Sequence, residues 1–126
     1  MRLREAGLLL RESQWSGAYY LAGYAVECGL KASITREFGK YRMPDLGVVR
    51  DSYVHDLEKL VIIAKLKPQL DLLMSTDPSF ALNWTIVKDW KETSRYEAWS
   101  ESEARDLYGA IKQRGHGVFQ WLKQCW

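Results

Sequence analysis

Arg50 and His55 stand five residues apart in the stretch Arg50-Asp51-Ser52-Tyr53-Val54-His55. These two residue types suit phosphodiester chemistry. An imidazole titrates near neutral pH and can take the proton of a ribose 2′-hydroxyl. A guanidinium is a fixed, planar cation that can hold the phosphate as charge builds on it. The same residues also fit a structural role, in which His55 opens a helix and Asp56 and Glu58 sit at its positive end. With nine arginines and two histidines in the chain, an Arg at such an offset also arises by chance. Both readings stand at the level of sequence.

A second group is Tyr20, Tyr24, Glu27 and Lys31, spaced i, i+4, i+7 and i+11 so that they share one stripe of a helix. In the functional reading this is a polar strip, in a cleft or a dimer interface, that holds a nucleotide base against tyrosine. Arg95, in the Arg95-Tyr96 pair, would complete it as a partner for Glu27. In the structural reading Glu27 and Lys31 form an ion pair one turn apart that registers packed helices. The segment Lys112-Gln113-Arg114-Gly115-His116 offers a basic cluster that could touch phosphate, or a solvated face near the end of a helix, where cations are favoured. Two cysteines, Cys28 and Cys125, make no disulfide framework, and Cys28 reads as a small buried apolar residue. Two His and two Cys at unrelated spacings give no support to a zinc site, and nothing calls for a cofactor.

The scaffold that must position these residues is predicted to be one domain over residues 1–126. A chain of this length buries about two-thirds of its unfolded surface, enough for a core without staples. Eighteen basic and sixteen acidic residues give a net charge of +2, which neither argues for nucleic acid nor opposes it. The opening MRLREAG lacks the apolar stretch of a signal peptide. No apolar run approaches the ~18 residues of a membrane span, so the expectation is a cytoplasmic protein with no membrane contact. Six Trp and seven Tyr are too many for the centre of so small a core, so some of them should cap an interface.

The central element is GAYYLAGYAVECGLKA, residues 17–32. It has no Pro, its Gly and Ala are spread along its length, and it carries little charge. That pattern predicts a buried helix over 17–38 whose backbone approaches its neighbours closely, with Ser16 as N-cap and Gly39 as its stop. A first helix is expected over 3–13, on the spacing of Leu3, Ala6, Leu9 and Leu10. Residues 40–53 read as the one long irregular stretch, and Leu57, Leu60, Val61 and Ala64 predict a third helix over 55–66. Pro68 admits a short helix over 69–74, and Asp77-Pro78 caps another over 79–90. After a connector over 91–99, Ser100-Glu101-Ser102-Glu103 has the form of a capping box for the last helix, which Gly115 and Gly117 interrupt. The fold class is all-α, an antiparallel bundle of about five helices.

The line REAGLLLRESQWSGAYYLAGYAVECGLKA resembles the opening of HEPN-domain proteins, small helical bundles of bacteria and archaea. Tyr20-Leu21-Ala22-Gly23-Tyr24, Glu27 and Leu30-Lys31-Ala32 match that family's second helix, and His55-Asp56-Leu57 with Leu60 looks like the opening of its third. Arg95-Tyr96, followed by a capped last helix ending in Trp121-Leu122, is similar too. The resemblance implies a HEPN-like bundle of the nucleotidyltransferase substrate-binding-subunit type. It implies a module that binds RNA or nucleotide, as one component of a toxin–antitoxin or nucleotidyltransferase pair, with Tyr24, Glu27, Lys31 and Arg95 as binding residues. It leaves open a metal-independent ribonuclease, with the Arg-x4-His pair Arg50 and His55 meeting its copy across a homodimer interface, though the family's ribonuclease motif usually lies nearer the C-terminal helices. A non-catalytic dimerisation protein is the third reading.

Overall fold

Small residues set the centre of the molecule. The computed structural model describes residues 2–39 and 56–124, and among them every regular element is helical. Seven α-helices occur there: α1 (Arg2–Arg11), α2 (Trp15–Gly39), α3 (Leu57–Ile63), α4 (Lys67–Thr76), α5 (Pro78–Val87), α6 (Glu101–Lys112) and α7 (Val118–Gln124). A 3-10 turn, Glu92–Tyr96, lies between α5 and α6. None of these helices is long and apolar enough to cross a membrane.

α2 is the axis. α1, α3, α6, α7 and the 3-10 turn all pack on it, and Ala18, Ala22, Val26 and Leu30 along one face are fully buried. Gly23 marks the closest approach. A methyl group at this position would overlap the indole ring of Trp90. Trp90 is 1% exposed, and its ring nitrogen has no hydrogen-bond partner among the described residues. Shape and burial therefore hold this ring, and truncating a side chain of this size typically costs about 3–5 kcal/mol. Around it the core continues through Leu57, Leu60 and Val61 of α3, Phe80 and Trp84 of α5, Leu107 and Ile111 of α6, and Trp121 and Leu122 of α7.

Local chemistry explains most helix ends. Asp56 caps α3 by accepting from the Lys59 amide at 3.2 Å, and Asp77 caps α5 by accepting from the Phe80 amide at 3.0 Å. The Ser100–Glu103 capping box closes in both directions, at 3.2 and 3.0 Å. Ser13 and Lys65 take left-handed conformations, φ 58° and 61°, and end α1 and α3. In each case the next amide reaches back to the carbonyl five residues earlier, Gln14 to Leu9 and Leu66 to Val61.

Several boundaries differ from the expectation, and three of the differences have an identifiable cause. α2 begins at Trp15, so Ser16 is not its N-cap; the Ser16 hydroxyl instead accepts from the Trp99 amide at 2.9 Å and pins the connector. The third helix stops at Ile63, because the turn at Lys65 redirects the chain into α4. The last helix is two helices, and the described residues hold seven α-helices where the sequence predicts about five. Gly115 has φ +84°, and a methyl on Gly117 would come 2.5 Å from the Ile111 carbonyl oxygen, so the chain breaks after Lys112 and restarts at Val118.

That break is held by polar contacts from α5. Asn83 is buried, and its amide donates to the Gln113 side chain and to the His116 carbonyl, the latter at 2.9 Å. The Gly115 amide donates to Gln120 Oε1 at 2.7 Å, and His116 Nδ1 lies 2.7 Å from Asp77 Oδ2. The pairing with His116, together with the Phe80 amide, holds the Asp77 carboxyl below its ordinary range. His116 is exposed, in keeping with the solvated reading of its segment, and it fastens the joint to α5.

Candidate functional site

The tyrosine stripe of α2 does not stay on one environment. Tyr20 and Tyr24 are half-buried and stack with ring centroids 5.8 Å apart. Glu27, one step round the helix, is 1% exposed and lies 4.0 Å from Lys31 Nζ. A buried carboxylate at that distance orients Lys31, which is itself half-buried, at the margin of the stripe. Cys28, one turn on from Tyr24, is half-buried, more open than an apolar core residue. Its sulfur beside the Tyr24 hydroxyl is the chief cause holding that phenol above its ordinary pKa. Partial burial raises Tyr20 in the same direction, with Arg95 opposing it. Both phenols are thus protonated at neutral pH and can donate hydrogen bonds.

Arg95 arrives from the 3-10 turn, where the docked Trp99 fixes the connector. Trp99 stacks on Tyr19 with centroids 3.8 Å apart and donates its ring N–H to the Ser94 carbonyl at 3.0 Å. Arg95 meets the tyrosines: its guanidinium carbon is 5.7 Å from the centre of the Tyr20 ring and 5.2 Å from that of Tyr96. Its ion-pair neighbour is Glu92 at 3.8 Å. At the other end of the stripe Arg2 lies over Tyr24 at 5.7 Å. The result is a row of rings and guanidinium groups in the order Tyr96, Arg95, Tyr20, Tyr24, Arg2. Its outer end is open, since Tyr96 is 78% exposed. Each ring–cation contact at such sites contributes about 0.5–1 kcal/mol.

Arg2 also lines a groove of about 890 Å³ between α1 and α2. Two facing stripes form it. Arg4, Gly7, Leu8 and Arg11 follow the i, i+3, i+4, i+7 spacing on α1, and Ala25, Cys28, Gly29 and Ala32 repeat that spacing on α2. Tyr108 and Lys112 of α6 and Phe119 of α7 complete the wall. Gly7 permits the approach of α6, because a methyl there would come 2.7 Å from the Tyr108 hydroxyl oxygen. Lys112 donates to that same hydroxyl at 3.0 Å.

The groove concentrates charge. Its lining has four cations, Arg2, Arg4, Arg11 and Lys112, against the single carboxylate of Glu5, which pairs with Arg2 at 3.2 Å. The chain as a whole is nearly balanced at 18 to 16. Among the described residues no carboxylate lies within ion-pair distance of Arg4 or Arg11. An apolar floor with a basic rim suits an anion that carries a flat or apolar body.

Of the residues singled out in the sequence, the structure brings Tyr20, Tyr24 and Arg95 together, turns Glu27 inward and leaves Lys31 further along α2, 4.0 Å from Glu27. Arg50 and His55 lie outside the described residues. The groove lies outside the sequence expectation, which rests on the buried face of α1 alone. The signal was present in the three arginines of α1, of which Arg4 and Arg11 fall on one stripe. The chain matches no family model, no curated protein and no solved structure with which it was compared.

Proposed function

We propose that the chain is a cytoplasmic HEPN-like helical module that binds RNA or nucleotide. It would work as a homodimer, or as the partner of a nucleotidyltransferase or an antitoxin. One observation carries the reading: the row of tyrosine rings and guanidinium groups on α2 runs into a groove where cations outnumber carboxylates. Sequence-tolerant binding of single strands uses those same two parts, a basic track for the backbone and rings for the bases. Tyr20 and Tyr24 supply rings, and Arg95 and Arg2, which lie over those rings, supply charge and planar guanidinium faces on which a base can stack. Lys31, oriented by the buried Glu27, adds a further cation at the margin. The resemblance in Tyr20–Ala32 and in Arg95-Tyr96 points to the same residues.

The test is fluorescence anisotropy of a labelled, unstructured ten-nucleotide RNA with the wild-type chain and with Tyr20→Leu and Tyr24→Leu, which keep bulk but remove the ring. Each substitution should weaken binding by about 5- to 150-fold, the loss of roughly 1–3 kcal/mol per stacked base, with thermal melts little changed. Undiminished binding by both variants would remove the tyrosines from the site, and absence of binding by the wild type at low salt would remove the function.

A further inference from the structure

We infer that the site takes the end of a strand, with a terminal phosphate seated in the groove and the adjoining bases laid along the tyrosine row. This rests on the RNA-binding reading and makes its ligand specific. The two parts touch. Arg2 lies over the Tyr24 ring and also lines the groove, and Cys28 lies against the Tyr24 hydroxyl and also lines the groove. A strand lying on the row is therefore led directly to the groove.

The two parts also differ in what they offer. In the row each guanidinium is engaged with a ring, so the row is a stacking surface with modest free charge. In the groove Arg4 and Arg11 meet no carboxylate among the described residues, and the lining has a surplus of three positive charges. An internal phosphodiester carries a single negative charge. A terminal phosphate carries about −1.5 to −2 at neutral pH and adds acceptor oxygens for charge-assisted hydrogen bonds. A terminal phosphate with the next phosphodiester carries about −2.5 to −3 and matches the surplus, whereas two internal linkages in the same space carry about −2.

Shape points the same way. The groove is recessed between two helices, with α6 and α7 completing its wall, and at about 890 Å³ it has the size of a small-molecule pocket. The floor of Ala25, Gly29 and Ala32 offers room and apolar contact beneath the cations.

The experiment compares one ten-nucleotide RNA carrying a 5′-phosphate, a 3′-phosphate or hydroxyls at both ends, with adenosine monophosphate as competitor. One phosphorylated form should bind at least about tenfold more tightly than the hydroxyl-ended form, the effect of one added charge-assisted contact. Arg4→Gln with Arg11→Gln, both at exposed positions, should erase that preference, so that the three forms bind the variant with one and the same affinity. Tyr20→Leu should instead weaken all three forms alike. Equal affinity for the three ends would overturn this inference and leave the RNA-binding reading standing. Displacement of the strand by the mononucleotide at equal concentration would also overturn it, because the row would then contribute nothing. Binding of no form at low salt would remove both.

Discussion

Two sides of α2 are built from the same small residues and end differently. On one side Gly23 leaves a space that Trp90 fills, and the fit is so close that a methyl group has no room. On the other, Ala25, Gly29 and Ala32 leave a space that α1 does not fill, and cations gather around the opening. Small residues on a helix therefore do not by themselves announce tight packing. What stands across from them decides: an indole closes the gap, whereas a helix presenting Arg4, Gly7, Leu8 and Arg11 keeps it open. The closed side is held by shape, and the open side has charge to spare for a ligand.

Matched substitutions should break this symmetry most sharply. Gly23→Ala forces either Trp90 or the α2 backbone to move, and overpacking of this kind costs about 1–3 kcal/mol or more; denaturant unfolding should show that loss. Ala32→Leu on the open side, at an exposed position, should change stability by no more than about 0.5 kcal/mol while filling the groove and weakening RNA binding. If both variants lost stability alike, the groove would be as tightly packed as the Trp90 seat, and the contrast would fail.

The wall of the groove depends on a third kind of contact. Lys112 and Phe119 flank the break between α6 and α7, and Asn83 holds that break by hydrogen bonds. Asn83→Leu leaves the His116 carbonyl without its donor, at a cost of about 1–3 kcal/mol, and should also lower RNA affinity because the wall loosens. The measurement pairs a thermal melt with anisotropy below the melting range. Unchanged affinity would show that the groove does not need the joint.

The smallest expected effect is on pH dependence. Asp77 has its carboxyl lowered, first by the hydrogen bond from His116 and then by the Phe80 amide. The folded value lies below the unfolded one, so the unfolded chain takes up this proton first as acid is added. The contribution is fully present above the ordinary aspartate range and is lost as pH falls through the lowered value. Thermal melts of wild type and Asp77→Asn between pH 6 and 2 should converge as the pH drops. Glu103, lowered by its capping contacts with Ser100, titrates the same way in both proteins and cancels from the difference. Parallel curves would mean that the Asp77–His116 contact adds nothing in solution.

The elements whose ends depend on neighbouring residues were readable from the chain. Asp77-Pro78 and Ser100-x-x-Glu103 work within one turn, and the buried face of 17–32 follows from its spacing of Gly and Ala. Ser16 departs from the expected cap because its partner, the Trp99 amide, is 83 residues away. Gly115 and Gly117 were visible as weak points, but whether a helix bends or separates there is decided by Asn83 and Asp77 on another helix. Half of the candidate site was readable as well. Tyr20 and Tyr24 fall on one stripe, yet the approach of Arg95 over Tyr20 depends on how Trp99 docks on Tyr19. The groove needs Arg4 and Arg11 from one end of the chain and Lys112 from the other, a juxtaposition that only the packing of α1, α2 and α6 creates.

The most direct test of the account is the salt dependence of RNA binding. Affinity for a phosphate-ended ten-nucleotide RNA would be measured from 50 to 300 mM salt, with the wild-type chain and with Arg4→Gln, Arg11→Gln and the double variant. Binding through phosphate contacts predicts a straight fall of log affinity with log salt, at about −0.7 per contacted phosphate on a single strand, and a slope shallower by roughly that amount for each arginine removed. An affinity indifferent to salt, or slopes identical in all four proteins, would contradict the claim that the α1–α2 groove is where the anion binds.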